Sequence, residues 1–506
     1  MLSKSKYCSF VQCPKNLWLG VNKPKLAVKD PSAESRKEEG NVIGDLAMHL
    51  FGDFVEVTAY KEDGKLDLSR MIGRTKALIM HEQPVICEAS FSYNGDYCAV
   101  DILKREGDGY AIYEVKSSTG SKDVYITDIS YQKYVLEHCG VNVTGTYLVL
   151  INKDYVFDGN LKLDELFKIV DVSSKVEEKI GTVEANIREA NRVLSEKCEP
   201  AVDLSAACDD PYPCEFWQYC TKHLPSPSVF DVCGSSSFSF KTMLQYYESG
   251  KTSFEALSHE EKVMKNNFRS LQINHEINDL PTHVDKDSIK EFLGTLWYPL
   301  YFLDFETMKP TIPEFVGTKP GERIPFQYSL HYIENEGGEL HHKEFLAESG
   351  ENPLRKISER LCEDIPENAC VIAYNKGFER GRLKELALRF SDLSDHLLKI
   401  RENIRDLMTP FFKGHYYNRR MNGSYSIKQV LPAIFPDDPA LDYHNLEGIH
   451  NGGEAMTVFP KIKDLPPEEQ ATVRKNLLKY CELDTYATVK IWQELTRVSK
   501  RGDKKC

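Results

Sequence analysis

Tyr298-Pro299-Leu300-Tyr301-Phe302-Leu303-Asp304-Phe305-Glu306 is the stretch on which the reading of the fold turns. Its first six residues form a largely apolar run of the kind found in a buried strand, and the run delivers the chain to two carboxylates. Alternation along a strand puts Asp304 and Glu306 on one face. Further apolar runs at 325–330 and 370–374 predict two more strands, and helical sequence continues through to Leu495. Strands and helices in this mixture define an α/β domain over 296–506.

Two later motifs fall in the matching context. Asn375-Lys376-Gly377-Phe378-Glu379 follows a strand, and Tyr480-Cys481-Glu482-Leu483-Asp484 lies in helical sequence, where Tyr480 and Asp484 share a face. The region resembles RNase H-like exonucleases of the DEDD class, whose four carboxylates hold two metals roughly 4 Å apart. The resemblance implies Asp304, Glu306, Glu379 and Asp484 as ligands for Mg²⁺ or Mn²⁺, Tyr480 as the residue that positions water, and Asn375 as a further candidate. Glu379 stands where the family has Asp, keeping the charge on a longer arm. Between the last two motifs, aromatics interleave with cations; Tyr416, Tyr417, Arg419, Arg420 and Lys428 suit stacking on bases and contact with phosphate, although an ordinary surface loop has the same composition.

The front of the chain carries a second acidic signature. Apolar runs at 85–87, 98–100, 110–113 and 146–150 alternate with glycine-containing turns, and a helix is predicted from about Asp128 to Glu137. Asp101 and Glu114-Val115-Lys116 lie on successive strands of this set, with Glu114 and Lys116 facing the same way. Asp and Glu so placed can hold Mg²⁺ or Mn²⁺ against a phosphate oxygen, with Lys116 orienting water or stabilising developing charge. Asp128 and Gln132, one helical turn apart, can face the same pocket. A long amphipathic helix follows, with Val176, Ile180, Val183 and Ile187 on its apolar stripe.

Fourteen cysteines are scattered through the chain, but Cys208, Cys214 and Cys220 cluster at even spacing. In a large chain without a secretion signal they read as thiols rather than disulfides. Together with Cys13-Pro14-Lys15, Asp101, Glu114-Val115-Lys116 and Gln132, the trio makes roughly the first 225 residues resemble RecB-like PD-(D/E)xK nucleases with an iron-sulfur cluster, among them the AddB type and the nuclease that accompanies CRISPR spacer acquisition. The resemblance implies a [4Fe-4S] cluster on Cys13, Cys208, Cys214 and Cys220 that staples the ends of the domain. Cys8 competes with Cys13 for the first position, and buried thiols or a zinc site are the alternative readings of the set. The trio is spaced by five residues at each step where relatives often have a shorter gap, and Tyr134 falls two residues after Gln132 where the family has a longer spacing. His49 is a candidate for the family's upstream histidine.

A formal charge of −13 over 506 residues argues against a surface that coats polyanions, so any nucleic acid must follow local basic channels. No apolar run reaches membrane-spanning length and the N-terminus lacks a signal-peptide core, which predicts a cytoplasmic protein. No phosphate-binding Gly-x4-Gly-Lys-Ser/Thr loop occurs. The expected organisation is a PD-(D/E)xK restriction-endonuclease-like mixed-sheet domain over 1–224, a helical bridge over 225–295 that includes Gly234-Ser235-Ser236-Ser237 and a capping box at Ser258 and Glu261, and an RNase H-like α/β domain over 296–506. The expected activity is metal-dependent hydrolysis of single-stranded DNA or DNA ends. Cleavage of RNA, or a scaffold that grips nucleic-acid ends for a helicase or defence complex with only the rear site catalytic, are the rivals.

Overall fold

The computed structural model describes residues 2–30, 33–233 and 238–500; the Gly234-Ser235-Ser236-Ser237 stretch lies outside them. The protein is mixed α/β, and its chain divides into two compact units, Met1–His223 with Pro310–Glu322, and Leu224–Lys309 with Arg323–Cys506.

In the first unit, β1 (Leu2–Ser3), β2 (Val55–Glu56), β3 (Val85–Tyr93), β4 (Asp96–Glu106), β5 (Gly109–Lys116), β6 (Val143–Ile151) and β7 (Phe167–Asp171) build one mixed sheet. Their order is β2-β3-β4-β5-β6-β7, with β1 added to β4. Neighbours β3, β4 and β5 run antiparallel, and β5 pairs parallel with β6. The helix Asp123–His138 buries Ile126, Ile129 and Val135 in one core with Phe91, Val100, Ile112 and Leu148. It starts a full turn before the expected Asp128, because Asp123 in its first turn favours the positive end of the helix and pairs with Lys179 at 2.5 Å. The amphipathic helix Ser173–Ser195 adds Val176, Val183 and Ile187 to the same core. Residues 310–322 join this unit through backbone bonds between Phe157 and both Gly317 and Thr318.

The second unit contains β8 (His283–Val284), β9 (Leu300–Met308), β10 (Ile324–Ile333), β11 (His341–Leu346), β12 (Cys370–Ala373), β13 (Ile404–Asp406) and β14 (Tyr416–Tyr417). Five of them form a sheet in the order β11-β10-β9-β12-β13, antiparallel from β11 to β9 and parallel from β9 to β13, while β14 pairs with β8. The long helix Pro467–Lys500 contributes Leu483, Ala487, Ile491 and Leu495 to a core shared with Phe302 and Ile372.

Segment 225–295, expected as a helical bridge, carries short helices and groups with the second unit: Val229, Phe238, Phe254, Leu257 and Ile273 share a small core, and β8 pairs with β14. The expected capping box is corrected. Ser258 does not open a helix. It closes Phe254–Leu257 and donates its hydroxyl to the Glu255 carbonyl, while Glu260 caps the next turn and Glu261 pairs with Lys265. Among the described residues no helix is long and apolar enough to cross a membrane.

Candidate functional site

The rear site is built where β9 meets the helix Pro467–Lys500. Asp304 lies opposite Ser329 and Glu306 opposite Gln327 in the antiparallel ladder, which points both carboxylates to the side covered by that helix. Oxygens of Asp304, Glu306 and Asp484 all lie within 4.8 Å of one another, close enough to share a divalent cation. Gly452 approaches so closely that a Cβ there would stand 3.3 Å from Glu306 Oε2.

Burial and mutual repulsion dominate the electrostatics. Burial, then the charges of Asp484, Glu306 and Glu379, raises Asp304 well above its ordinary range. Burial and Asp484 push Glu306 to about 8. Asp484 is raised only to about 6: burial lifts it, while hydrogen bonds from Tyr443 and Tyr480 and the charge of Lys428 pull it down. The Tyr443 hydroxyl donates to Asp484 Oδ1 at 2.5 Å.

Glu379 lies on the helix Gly377–Arg389, buried, with its Oε2 unpartnered. Its charge acts on Asp304, but it is outside the trio that is close enough to share one ion. Burial and nearby Asp406 push it to about 8. Asn375 sits at a left-handed φ of 67°, and its backbone N–H donates to Asp406 Oδ1 at 3.0 Å, which shapes the turn between β12 and that helix.

The expected nucleic-acid loop divides. Tyr416 and Tyr417 are core residues, 4% and 1% exposed in β14, and offer no ring for a base to stack on. Arg419 and Arg420 are exposed, with Arg419 paired to Asp279, and exposed Lys428 acts on Glu306 and Asp484.

The front site has a different balance. The β4–β5 ladder ends at Ile102↔Tyr113, and just beyond it the Asp101 carboxylate accepts the Val115 N–H at 2.7 Å. Lys116 Nζ donates to Glu114 Oε1 at 2.6 Å and to Asp128 Oδ2 at 3.0 Å. Gln132 Nε2 donates to Glu114 Oε2 at 2.7 Å and to Asp128 Oδ1 at 3.0 Å. Lys4, from the helix Lys4–Gln12, adds a second ammonium 2.8 Å from Glu114 Oε1. Burial alone would raise Glu114, but Lys116 and Lys4 outweigh it and hold the carboxyl well below its usual range. Asp101 is pushed to about 6 by burial and by Glu114. Among the described residues the carboxylates of this site do not form a trio within 4.8 Å.

The structure therefore brings Asp101, Glu114, Lys116, Asp128 and Gln132 together and adds two groups that local pattern does not reveal. One is Lys4. The other is Glu88, which falls between the β3–β4 pairs Cys87↔Ile102 and Ala89↔Val100 at a left-handed φ of 56°, and which burial and the charge of Asp101 push to about 7. Spacing had no means of finding either, since both reach the site from elsewhere in the sequence. His49 is exposed, packs edge-on against Phe54 and makes no hydrogen bond to these groups.

The described cysteines are all free of disulfides. Cys13 lies between the helices Lys4–Gln12 and Pro14–Asn22, and its charge acts on Cys208, Cys214 and Cys220, so the four thiols sit within electrostatic reach of one another. Cys8 points elsewhere: burial pushes it to about 12, and the charges around it are Asp128, Lys116, Lys4 and Glu114. Gln12 Nε2 ties the N-terminal helix to the late loop, donating to the Ala207 and Tyr212 carbonyls at 2.9 Å each. Among the described residues no three cysteine sulfurs lie within 4.8 Å of one another.

A third group of potential ligands was not anticipated. His331 on β10, His342 on β11 and Glu482 on the helix Pro467–Lys500 also bring ligand atoms within 4.8 Å of one another. Burial and His342 lower His331 to about 4, so its ring is neutral near pH 7.

Residues 301–426, which include Asp304, Glu306 and Glu379, match a family model described as a domain of unknown function (DUF2779). The chain is also similar to "Uncharacterized protein MG366" of Mycoplasma genitalium, 26% identical over 218 residues, a match that covers 40% of this chain and 32% of that protein. The chain thus spans about a third of the length of the curated relative it matches.

Proposed function

We propose that the protein is a metal-dependent nuclease whose second unit is an RNase H-like 3′-5′ exonuclease domain of the DEDD type, acting on single-stranded DNA or DNA ends. One observation carries the reading: Asp304, Glu306 and Asp484 converge within 4.8 Å, burial raises all three, and the charge of Asp484 raises Asp304 and Glu306 further. Such a cluster is costly without a cation. Mg²⁺ or Mn²⁺ held there supplies Lewis-acid activation of water and neutralises charge on the phosphate.

The protein's own groups do the positioning. Tyr443 and Tyr480 hold Asp484 by hydrogen bonds, Glu379 is the fourth carboxylate with an oxygen left unpartnered, and exposed Lys428 offers its charge to a phosphate. Buried carboxylates are more easily reached by a flexible single strand than by a duplex.

The first unit is read as a RecB-like PD-(D/E)xK domain with a [4Fe-4S] cluster on Cys13, Cys208, Cys214 and Cys220. A second role for it, gripping the nucleic-acid end without cutting, is favoured by one feature: Lys4 and Lys116 already neutralise Glu114. The test is degradation of 5′- and 3′-labelled single-stranded DNA and RNA in Mg²⁺ or Mn²⁺ by anaerobically purified wild type, Asp304→Ala and Lys116→Ala. The expected result is stepwise 3′ trimming of DNA that Asp304→Ala abolishes. Cutting that survives Asp304→Ala and is lost in Lys116→Ala would move the activity to the front site; faster trimming of RNA would change the substrate.

A further inference from the structure

The group His331, His342 and Glu482 lies apart from the carboxylate trio, and the hydrogen bonds behind it prepare both imidazoles as ligands. Thr485 Oγ1 donates to the Glu482 carbonyl at 3.1 Å. It thereby accepts from His331 Nδ1 at 2.8 Å and from the Ser329 hydroxyl at 2.7 Å. Ser329 in turn accepts from His342 Nε2 at 2.9 Å. In this assignment each hydroxyl hydrogen and the protonated nitrogen of each ring is donated, and each ring keeps one bare nitrogen, Nε2 of His331 and Nδ1 of His342. Hydrogen bonding of the distal ring nitrogen is how proteins orient metal-ligating histidines.

The ring centroids are 4.6 Å apart, and Glu482 supplies a carboxylate oxygen from the neighbouring helix. Glu344 is two residues beyond His342 on the same face of β11, and the charges of His342 and Glu482 both act on it. Two imidazoles and a carboxylate select a borderline transition ion over Mg²⁺, which prefers oxygen throughout.

We propose that His331, His342 and Glu482 form a Zn²⁺ site that clamps the helix Pro467–Lys500 to the β10–β11 edge of the sheet. This proposal does not rest on the nuclease reading. Its test is titration of chelator-stripped full-length protein with Zn²⁺ in excess Mg²⁺, which keeps the carboxylate trio occupied, followed by calorimetry and by metal analysis after gel filtration. Wild type should bind one equivalent more than His342→Ala, or bind it at least about tenfold more tightly, the loss typical of disturbing a metal site. Should His342→Ala fail to fold, Glu482→Gln at an exposed position gives the same readout. Zinc stoichiometry and affinity in the folded variant equal to wild type would overturn the proposal. Neither result depends on strand cleavage.

Discussion

Lys4 and Lys116 both pair with Glu114 and reach Asp128 in the front site, whereas among the described residues the cation acting on Glu306 and Asp484 is Lys428 at the exposed rim. Stability should therefore respond to pH at Glu114 in the sense opposite to the raised carboxyls of the rear site. Carboxyls raised to about 8, as at Glu306 and Glu379, bind more protons folded than unfolded between pH 4.3 and 8, so stability falls as pH rises through that window. Glu114, held low, contributes stability above the unfolded pKa of about 4.3 that is lost as pH falls through its folded value. In chelator, the melting temperature should drop from pH 5 to pH 8, and millimolar Mn²⁺ should restore it at pH 8, by about 2.7 kcal/mol at a hundredfold excess over Kd. A melting temperature at pH 8 indifferent to Mn²⁺ would count against the rear metal centre. Tyr443→Phe removes the short bond to Asp484 and should weaken Mn²⁺ binding about 10- to 100-fold by titration calorimetry. Asp304-x-Glu306 and Glu114-x-Lys116 were legible because two residues along a strand share a face. Tyr443, Lys4 and Glu88 were not, because tertiary packing alone brings them in.

At the scale of elements, strands with apolar runs were readable and those without were not. β9, β10 and β12 carry long buried stretches, whereas β11 is His341-His342-Lys343-Glu344-Phe345-Leu346, with no buried residue to mark it as a strand. The same blindness produced the error at Tyr416 and Tyr417. Aromatics flanked by cations have the composition of a binding loop, but pairing of β14 with β8 turns them inward, where Tyr417 packs edge-on against Phe268. Tyr417→Ala should therefore cost about 3 kcal/mol or more in denaturant unfolding, as for other large buried rings. A variant that unfolds like wild type but loses DNA affinity would restore the stacking role. Capping residues mislead in a similar way: a serine suits either end of a helix, and Ser258 takes the C-terminal one.

Over the whole molecule, each unit gathers distant sequence. The first joins Cys13 and Gln12 to the loop around Cys208–Cys220 and adopts 310–322; the second absorbs the segment that composition set apart as a bridge. Composition marks a change of texture but not where a segment packs, so the spacing of the cysteines can be read from the sequence and the grouping of 310–322 with the first unit cannot. Cys208→Ser should lower the iron content of anaerobically purified protein from about four per chain and speed proteolysis of the N-terminal helices; unchanged iron would remove that thiol from the cluster. The most direct measurement of the central claim pairs cutting with folding in Asp304→Asn, which keeps the side chain's shape and removes its charge. The account predicts that this variant no longer trims 3′-labelled single-stranded DNA in Mn²⁺, while its metal-free form melts higher than wild type because the repulsion among the carboxylates is relieved. Trimming at the wild-type rate by a folded Asp304→Asn protein would contradict it.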